Sequence, residues 1–412
     1  YDPQAMSVSQ VLDFLSRLVM PVTESVELPL FEALDRVLAM DVISPLDVPP
    51  HDNSAMDGYA FAGSQLTDTA LALQVVGTAL AGKAWQGCVK SGQCVRIMTG
   101  AVMPEGLDTV VPQELVSVHA KLAEFITIPA GIVKIGDNRR LRGEDLMFGK
   151  AALRQGDRLT PARLGLAASL GLATLRTWRP LRVAYFSTGD EILSLGEASR
   201  EGAVYDSNRY TIFGMLSRLG CEVIDMGVVR DEPALLEAVF TEAAGRADVI
   251  ITSGGVSMGE ADHTKAMMKQ LGDVAFWRIA MRPGRPMAVG RMNSSHSQGA
   301  VLFGLPGNPV AAMVTFLAFV RPALLQMMGA RVDSVPLLKA RSSEIIRKKP
   351  GRTEYQRGRV VTASDGTLQV KTTGSQGSGI LRSMAEANGL IVLPPFQGDV
   401  ALGDEVDVLM FD

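Results

Sequence analysis

The chain has 412 residues, more than one typical hydrophobic core accommodates, and 47% of them are hydrophobic, enough for roughly two to four domains. A net charge of −4 argues against a general nucleic-acid binder, which would carry a basic excess or a basic face, but leaves room for a local basic pocket that takes a small anion. No apolar run of the roughly 18 residues needed to span a membrane is read in the sequence. The start, Tyr1-Asp2-Pro3, lacks the shape of a signal peptide.

Cys88, Cys94 and Cys221 are an odd set without CxxC spacing, which argues against structural disulfides and fits a reducing cytoplasm. His51, His119, His263 and His296 are scattered and make no zinc pattern. A metal, if used, is expected to be Mg²⁺ on carboxylates and substrate phosphate.

In chain order, residues 7–18 read as an amphipathic helix and residues 30–37 as a second, before Val48-Pro49-Pro50 breaks the pattern. From about residue 59 to 135, short β-type runs alternate with Gly, Pro and polar residues, which suggests a small β-rich domain. Helical character returns at residues 160–170, opened by Thr160-Pro161. The expected division is a discontinuous helical linking domain (1–48 and 140–178), an inserted β-rich domain (49–139), an α/β domain (179–328) and a C-terminal β domain (333–412). In the third, strands and helices alternate, which implies a mainly parallel sheet covered by helices on both faces. The fold class is therefore multidomain α/β, with a three-layer centre and a barrel-like C-terminal domain.

In such sheets ligands bind beyond the carboxyl ends of the strands, and polar clusters stand at those positions. Ser187-Thr188-Gly189-Asp190-Glu191 follows the first strand, Arg230-Asp231-Glu232-Pro233 the second, and the turn Ser253-Gly254-Gly255 the third, with Asp262 further on. Glycines let the backbone approach a ligand, and free N–H groups at a helix start favour anions. A tight β–α connection is the plain alternative for each loop alone, but three in succession point to one cleft.

Arg282-Pro283-Gly284-Arg285-Pro286 sets two guanidinium groups around a rigid turn suited to an oxyanion. Leu305-Pro306-Gly307-Asn308-Pro309 opens a long apolar helix. Gly374 to Gly379, with Ser375 and Ser378, reads either as an oxyanion cradle or as a flexible hairpin. No dinucleotide fingerprint, P-loop or Ser-His-Asp set is found.

Together these segments resemble the molybdopterin molybdenumtransferase family (MoeA and the gephyrin E domain). The matching stretches, in family order, include Asp52-Asn-Ser-Ala-Met-Asp-Gly-Tyr-Ala60, Arg96-Ile-Met-Thr-Gly-Ala101, Arg142-Gly-Glu-Asp145, Tyr205-Asp-Ser-Asn208, Gly351-Arg352 and Gln356-Arg-Gly358, besides the loops above. The resemblance implies insertion of molybdenum from molybdate into adenylylated molybdopterin, with Mg²⁺ and release of AMP, by a cytoplasmic homodimer whose cleft lies between subunits. It implies contact with the adenylyltransferase and with molybdoenzyme maturation proteins, and neither nucleic acid nor membrane as partner.

By residue, the resemblance implies catalytic roles for Glu191, Asp231 and Asp57, with Glu191 and Asp231 as Mg²⁺ ligands. Asp57 and Thr99 would approach from the partner subunit. Thr99, Ser253, Gly254, Gly255, Asp262, Pro306 and Pro309 would bind substrate, and Arg282, Arg285, Arg352 and Ser378 would meet molybdate or another anion. Two departures touch that last region: the usual Lys-Pro-Gly-Lys-Pro turn carries Arg282 and Arg285, and a position often held by a small hydroxyl residue is Ala311. The competing readings are a molybdopterin adenylyltransferase, which shares the α/β domain type, and a gephyrin-like scaffold.

Overall fold

The computed structural model describes residues 5–118, 124–256, 263–293, 299–331 and 336–411. Its centre is a six-stranded sheet built from β1 (Arg182–Thr188), β2 (Glu222–Val229), β3 (Val249–Ser253), β4 (Gly272–Arg278), β5 (Pro286–Met292) and β6 (Ala300–Leu305). The order is β2-β1-β3-β6-β5-β4. The pairings among β2, β1, β3 and β6 are parallel, while β5 and β4 are antiparallel additions.

Alternate residues of β1 serve opposite faces of this sheet, as strand geometry requires. Val183 and Tyr185 join one core with α3 (Ser207–Leu219) and the helix beginning at Pro309. Ala184 and Phe186 join the other with α4 (Pro233–Arg246) and α5 (His263–Leu271). The result is the expected three-layer domain.

The helical run of residues 309–327 meets the length and apolarity of a membrane span, a feature the sequence reading missed. Val310, Val314, Phe316, Phe319, Val320 and Leu324 are nonetheless buried in the protein core. The run widens into a π turn at Phe316–Val320, just before Pro322. Proline cannot donate the normal helical hydrogen bond, and a wider turn accommodates it.

The N-terminal helix α1 (Val8–Leu18) has the capping box Ser7–Gln10 and buries Val11 and Leu15 against the central domain. Residues 30–37 are not the second helix the sequence suggests; only Leu30–Glu32 forms a 3₁₀ turn, and the next helix is α2 (Pro161–Ser169), capped by Thr160. Asp35 is left-handed (φ 63°), and the amides of Asp35 and Leu38 bond the carbonyls of Leu159 and Asp157. Long-range pairing overrides local helix preference there.

The strands Gly58–Phe61, Leu71–Ala79, Gln93–Ile97, Thr109–Pro112, Ser117–Val118 and Phe125–Ile128 form the inserted β sheet. At the C-terminus, Leu338–Ser342, Thr353–Thr362, Leu368–Thr372, Gly389–Leu393 and Glu405–Met410 close into a five-stranded barrel. Met281–Arg282 adds in parallel to the barrel strand Thr353–Thr362 (Met281 opposite Thr353, Arg282 opposite Glu354), which ties the basic turn to the barrel.

Arg179 joins the N-terminal segment to the sheet. It donates two hydrogen bonds to Asp248 (2.7 and 2.8 Å) and one to Glu24 (2.7 Å), and Asp248 also accepts from the Arg182 backbone N–H. Burial pushes the Asp248 carboxyl up, but those donors outweigh it and hold it below the ordinary 3.8. A depressed carboxylate stabilises the fold fully above its unfolded value and loses that contribution as pH falls through the folded one. Asp248→Asn should therefore cost about 1–3 kcal/mol at neutral pH and shrink the difference from wild type below pH 4. Urea melts across pH check this, and wild-type stability at pH 7 would contradict it.

Candidate active site

The strand order reverses beside β1, because the chain passes first to β2 on one side and then to β3 on the other. That switch point opens a crevice at the carboxyl ends of β1 and β3. The two ends approach closely. Gly254 has φ 94°, and a Cβ there would lie 2.4 Å from the Thr188 carbonyl oxygen. Its N–H bonds the Leu305 carbonyl at the end of β6 (3.1 Å). Gly189 is the second required glycine (φ 144°): a Cβ would meet the Glu191 carboxylate at 2.6 Å. These contacts give physical meaning to the glycines of both loops.

Beneath the turn, the hydroxyls of Tyr185, Ser187 and Ser253 bond one another at 2.7–3.1 Å and are buried. Burial pushes the Tyr185 phenol up, so it stays protonated. The Ser253 side chain is thus directed into the protein and fastens β1 to β3, whereas the expectation placed it on substrate.

A cavity of about 770 Å³ occupies the crevice. Of the residues expected at the site, Glu191, Asp231, Gly254, Gly255, Arg282, Arg285, Pro306, Arg352 and Ser378 line it. Asp262 lies outside the described residues. Pro309 is not on the wall; its neighbours Asn308 and Ala311 are. Thr188 and Gln376, within loops the sequence singles out but given no role of their own, and Thr264, which it passes over, line the cavity too. Thr264, in the first turn of α5, donates to the Asp231 carboxylate at 3.0 Å, a link between distant loops that carries no local signal.

The charges are segregated. Glu191 and Asp231 follow β1 and β2, whereas Arg282 and Arg285 lie in the β4–β5 connection and Arg352 leads into the barrel. β1 and β5 stand three strand positions apart, about 14 Å. Arg352 is oriented from behind by the buried Glu354 (3.8 Å), which also accepts from Gln356 (3.1 Å).

Among the described residues no three His, Cys, Asp or Glu side chains converge as a metal centre. Two carboxylates beside the hydroxyls of Thr188 and Thr264 are hard oxygen donors, the kind Mg²⁺ accepts when substrate oxygens and water complete its shell.

Asp57 and Thr99 are brought together elsewhere. The Thr99 backbone N–H and hydroxyl donate to Asp57 at 2.7 and 2.8 Å, and those bonds, the backbone one foremost, hold the exposed carboxyl below its ordinary value. Neither residue lines the cavity.

Gly254→Ala should destabilise the fold by about 1–3 kcal/mol, through strain and contact with Thr188. Thermal melting checks this, and an unshifted transition would contradict the close approach of β1 and β3.

Three family models match the chain: the MoeA N-terminal region (domain I and II) over residues 6–171, a probable molybdopterin binding domain over 184–326, and the MoeA C-terminal region (domain IV) over 339–411. The molybdopterin molybdenumtransferase of Haemophilus influenzae is 41% identical over 392 residues, 95% of each chain. That of a Nostoc species is 35% identical over 394 residues, covering 94% of this chain and 88% of the relative. Among solved structures, the molybdopterin biosynthesis moeA protein of Pyrococcus horikoshii superposes with a TM-score of 0.82 at 25% identity, covering 99% of this chain and all of the other. On these matches, which together span most of its length, the chain belongs to the molybdopterin molybdenumtransferase (MoeA) family.

Proposed function

We infer that this chain inserts molybdenum from molybdate into adenylylated molybdopterin and releases AMP. The observation that carries this reading is one cavity with carboxylates at one end and three arginines with a glycine-rich turn at the other. Family membership supports molybdenum insertion into molybdopterin, and the adenylylated form of the substrate is part of the proposal.

Cleaving a phosphoanhydride requires charge neutralisation and alignment rather than covalent help from the protein. Glu191 and Asp231 would hold Mg²⁺, which supplies charge neutralisation at phosphate oxygens when bound. Thr264 fixes the Asp231 carboxylate, and Gly189 leaves room for that of Glu191. Arg282, Arg285 and Arg352 offset the charge of molybdate or phosphate, with Ser378 beside them. Gly254 and Gly255 present backbone to the substrate, Pro306 shapes the wall, and Asp262 remains assigned to substrate from the resemblance. The free thiols of Cys88, Cys94 and Cys221 fit a reducing, cytoplasmic setting.

Asp57 and Thr99 stand as a preformed acid–hydroxyl pair that this subunit's cavity does not use. We assign them to the cavity of a partner subunit in a homodimer.

Glu191→Gln should melt like wild type yet release no AMP from adenylylated molybdopterin supplied with molybdate and Mg²⁺; normal release would overturn the assignment. The shared cleft has its own test. Mixing and re-associating Glu191→Gln with Asp57→Ala subunits creates one intact site per mixed dimer, so about a quarter of wild-type activity should return. No recovery, with mixed dimers present, would place Asp57 in its own subunit's site, and an active Asp57→Ala parent would place it outside catalysis.

A further inference from the structure

Arg357 is the largest wholly buried side chain among the described residues. It lies in the barrel strand Thr353–Thr362, and no described carboxylate forms an ion pair with it. Burial, and secondarily the positive Arg282, lower its pKa to about 10, which leaves it charged at neutral pH. An unpaired buried cation is strongly disfavoured unless dipoles replace water around it.

Here the dipoles are backbone carbonyls of one turn. Nη2 donates to the carbonyls of Ser375 (3.2 Å) and Gly377 (2.9 Å), and Nη1 to that of Gln376 (3.2 Å). Nε donates to Ser383 Oγ (3.0 Å). Gln376 closes the grip, since its side chain accepts from the Arg357 backbone N–H (2.8 Å) and donates to the Arg357 carbonyl (3.2 Å).

Three consecutive carbonyls thus converge on one cation. In a trans peptide the N–H points opposite to the C=O, and cis bonds occur elsewhere, at Val48-Pro49 and Arg282-Pro283. The N–H groups of Gln376, Gly377 and Ser378 are therefore turned away from the guanidinium. All three residues line the cavity, and none of these N–H groups donates to a protein acceptor among the described residues. The Ser378 carbonyl accepts from Val310 N–H (3.1 Å), which pins the far end of the turn to the start of its helix.

We propose that Arg357 is a positioning residue whose grip on residues 375–377 aims the N–H groups of Gln376, Gly377 and Ser378 into the cavity as a nest for a tetrahedral oxyanion, molybdate in this chain. The identity of the anion rests on the function inferred above. Arg282 and Arg352 supply charge at this wall, and the nest supplies direction. The reading as a flexible hairpin is thereby set aside, because the turn has a charged core.

The test begins with wild-type full-length protein carrying carbonyl-¹³C glycine and ¹⁵N serine. Gly–Ser bonds end at Ser64, Ser375 and Ser378, so the Ser378 amide is read beside two others. Sodium molybdate alone should shift Ser378 and leave Ser64 still; an unmoved Ser378 at saturating molybdate overturns the proposal. Arg357→Ala should raise the KM for molybdate about tenfold or more while kcat changes far less, and millimolar guanidinium should restore it. A folded variant with wild-type KM also overturns the proposal. If that variant does not fold, the wild-type amide shift decides alone. Wild-type protein that shifts Ser378 with molybdate but releases no AMP would sink the inferred function and keep the nest; an active protein with a still amide would do the reverse.

Discussion

Loops from four parallel strands can meet in one cleft only if the strand ends approach with nothing between them. In this protein that condition is met between β1 and β3, where the Thr188 carbonyl sits against Gly254 with no space for a Cβ. The buried hydroxyls of Tyr185, Ser187 and Ser253 fasten the same two strands one layer below. Glycine above and hydroxyls below make the switch point narrow and fixed. The placement of Glu191, Asp231 and Pro306 around one cavity depends on it.

The rest of the molecule completes the cleft from the other side. The short strand Met281–Arg282 pairs with the barrel, which fastens the basic turn to the barrel through backbone hydrogen bonds. Glu354 orients Arg352, and Arg357 organises the turn beside Ser378. Carboxylates come from the sheet and most cationic character from the seam between sheet and barrel. A ligand with a phosphoanhydride at one end and an oxyanion to receive at the other suits that division. The barrel adds Arg352 and the Gln376–Ser378 turn to the wall that Arg282 and Arg285 begin.

Local pattern made much of this legible. Alternating strands and helices predicted the three-layer centre, and polar loops at strand ends predicted the crevice. Glu191, Asp231, Arg282, Arg285, Arg352 and Ser378 line one cavity although more than 180 residues separate the first from the last. What the sequence hid was set by long-range contact. Residues 30–37 look helical until their amides pair with Leu159 and Asp157. Ser253 looks like a ligand contact until the fold provides Tyr185 and Ser187 as partners. The burial of Glu354 and Arg357 has no local signal, because barrel closure produces it. The antiparallel β4 and β5 depend on a pairing partner that periodicity cannot name.

The most direct test of the account is a crystal structure with AMP, Mg²⁺ and molybdate bound together. The account predicts Mg²⁺ on the Glu191 and Asp231 side and molybdate against Arg282, Arg285 and the Gln376–Ser378 turn, within one cavity. Molybdate bound outside that cavity, or both ions crowded at the carboxylates with the arginine wall untouched, would contradict it.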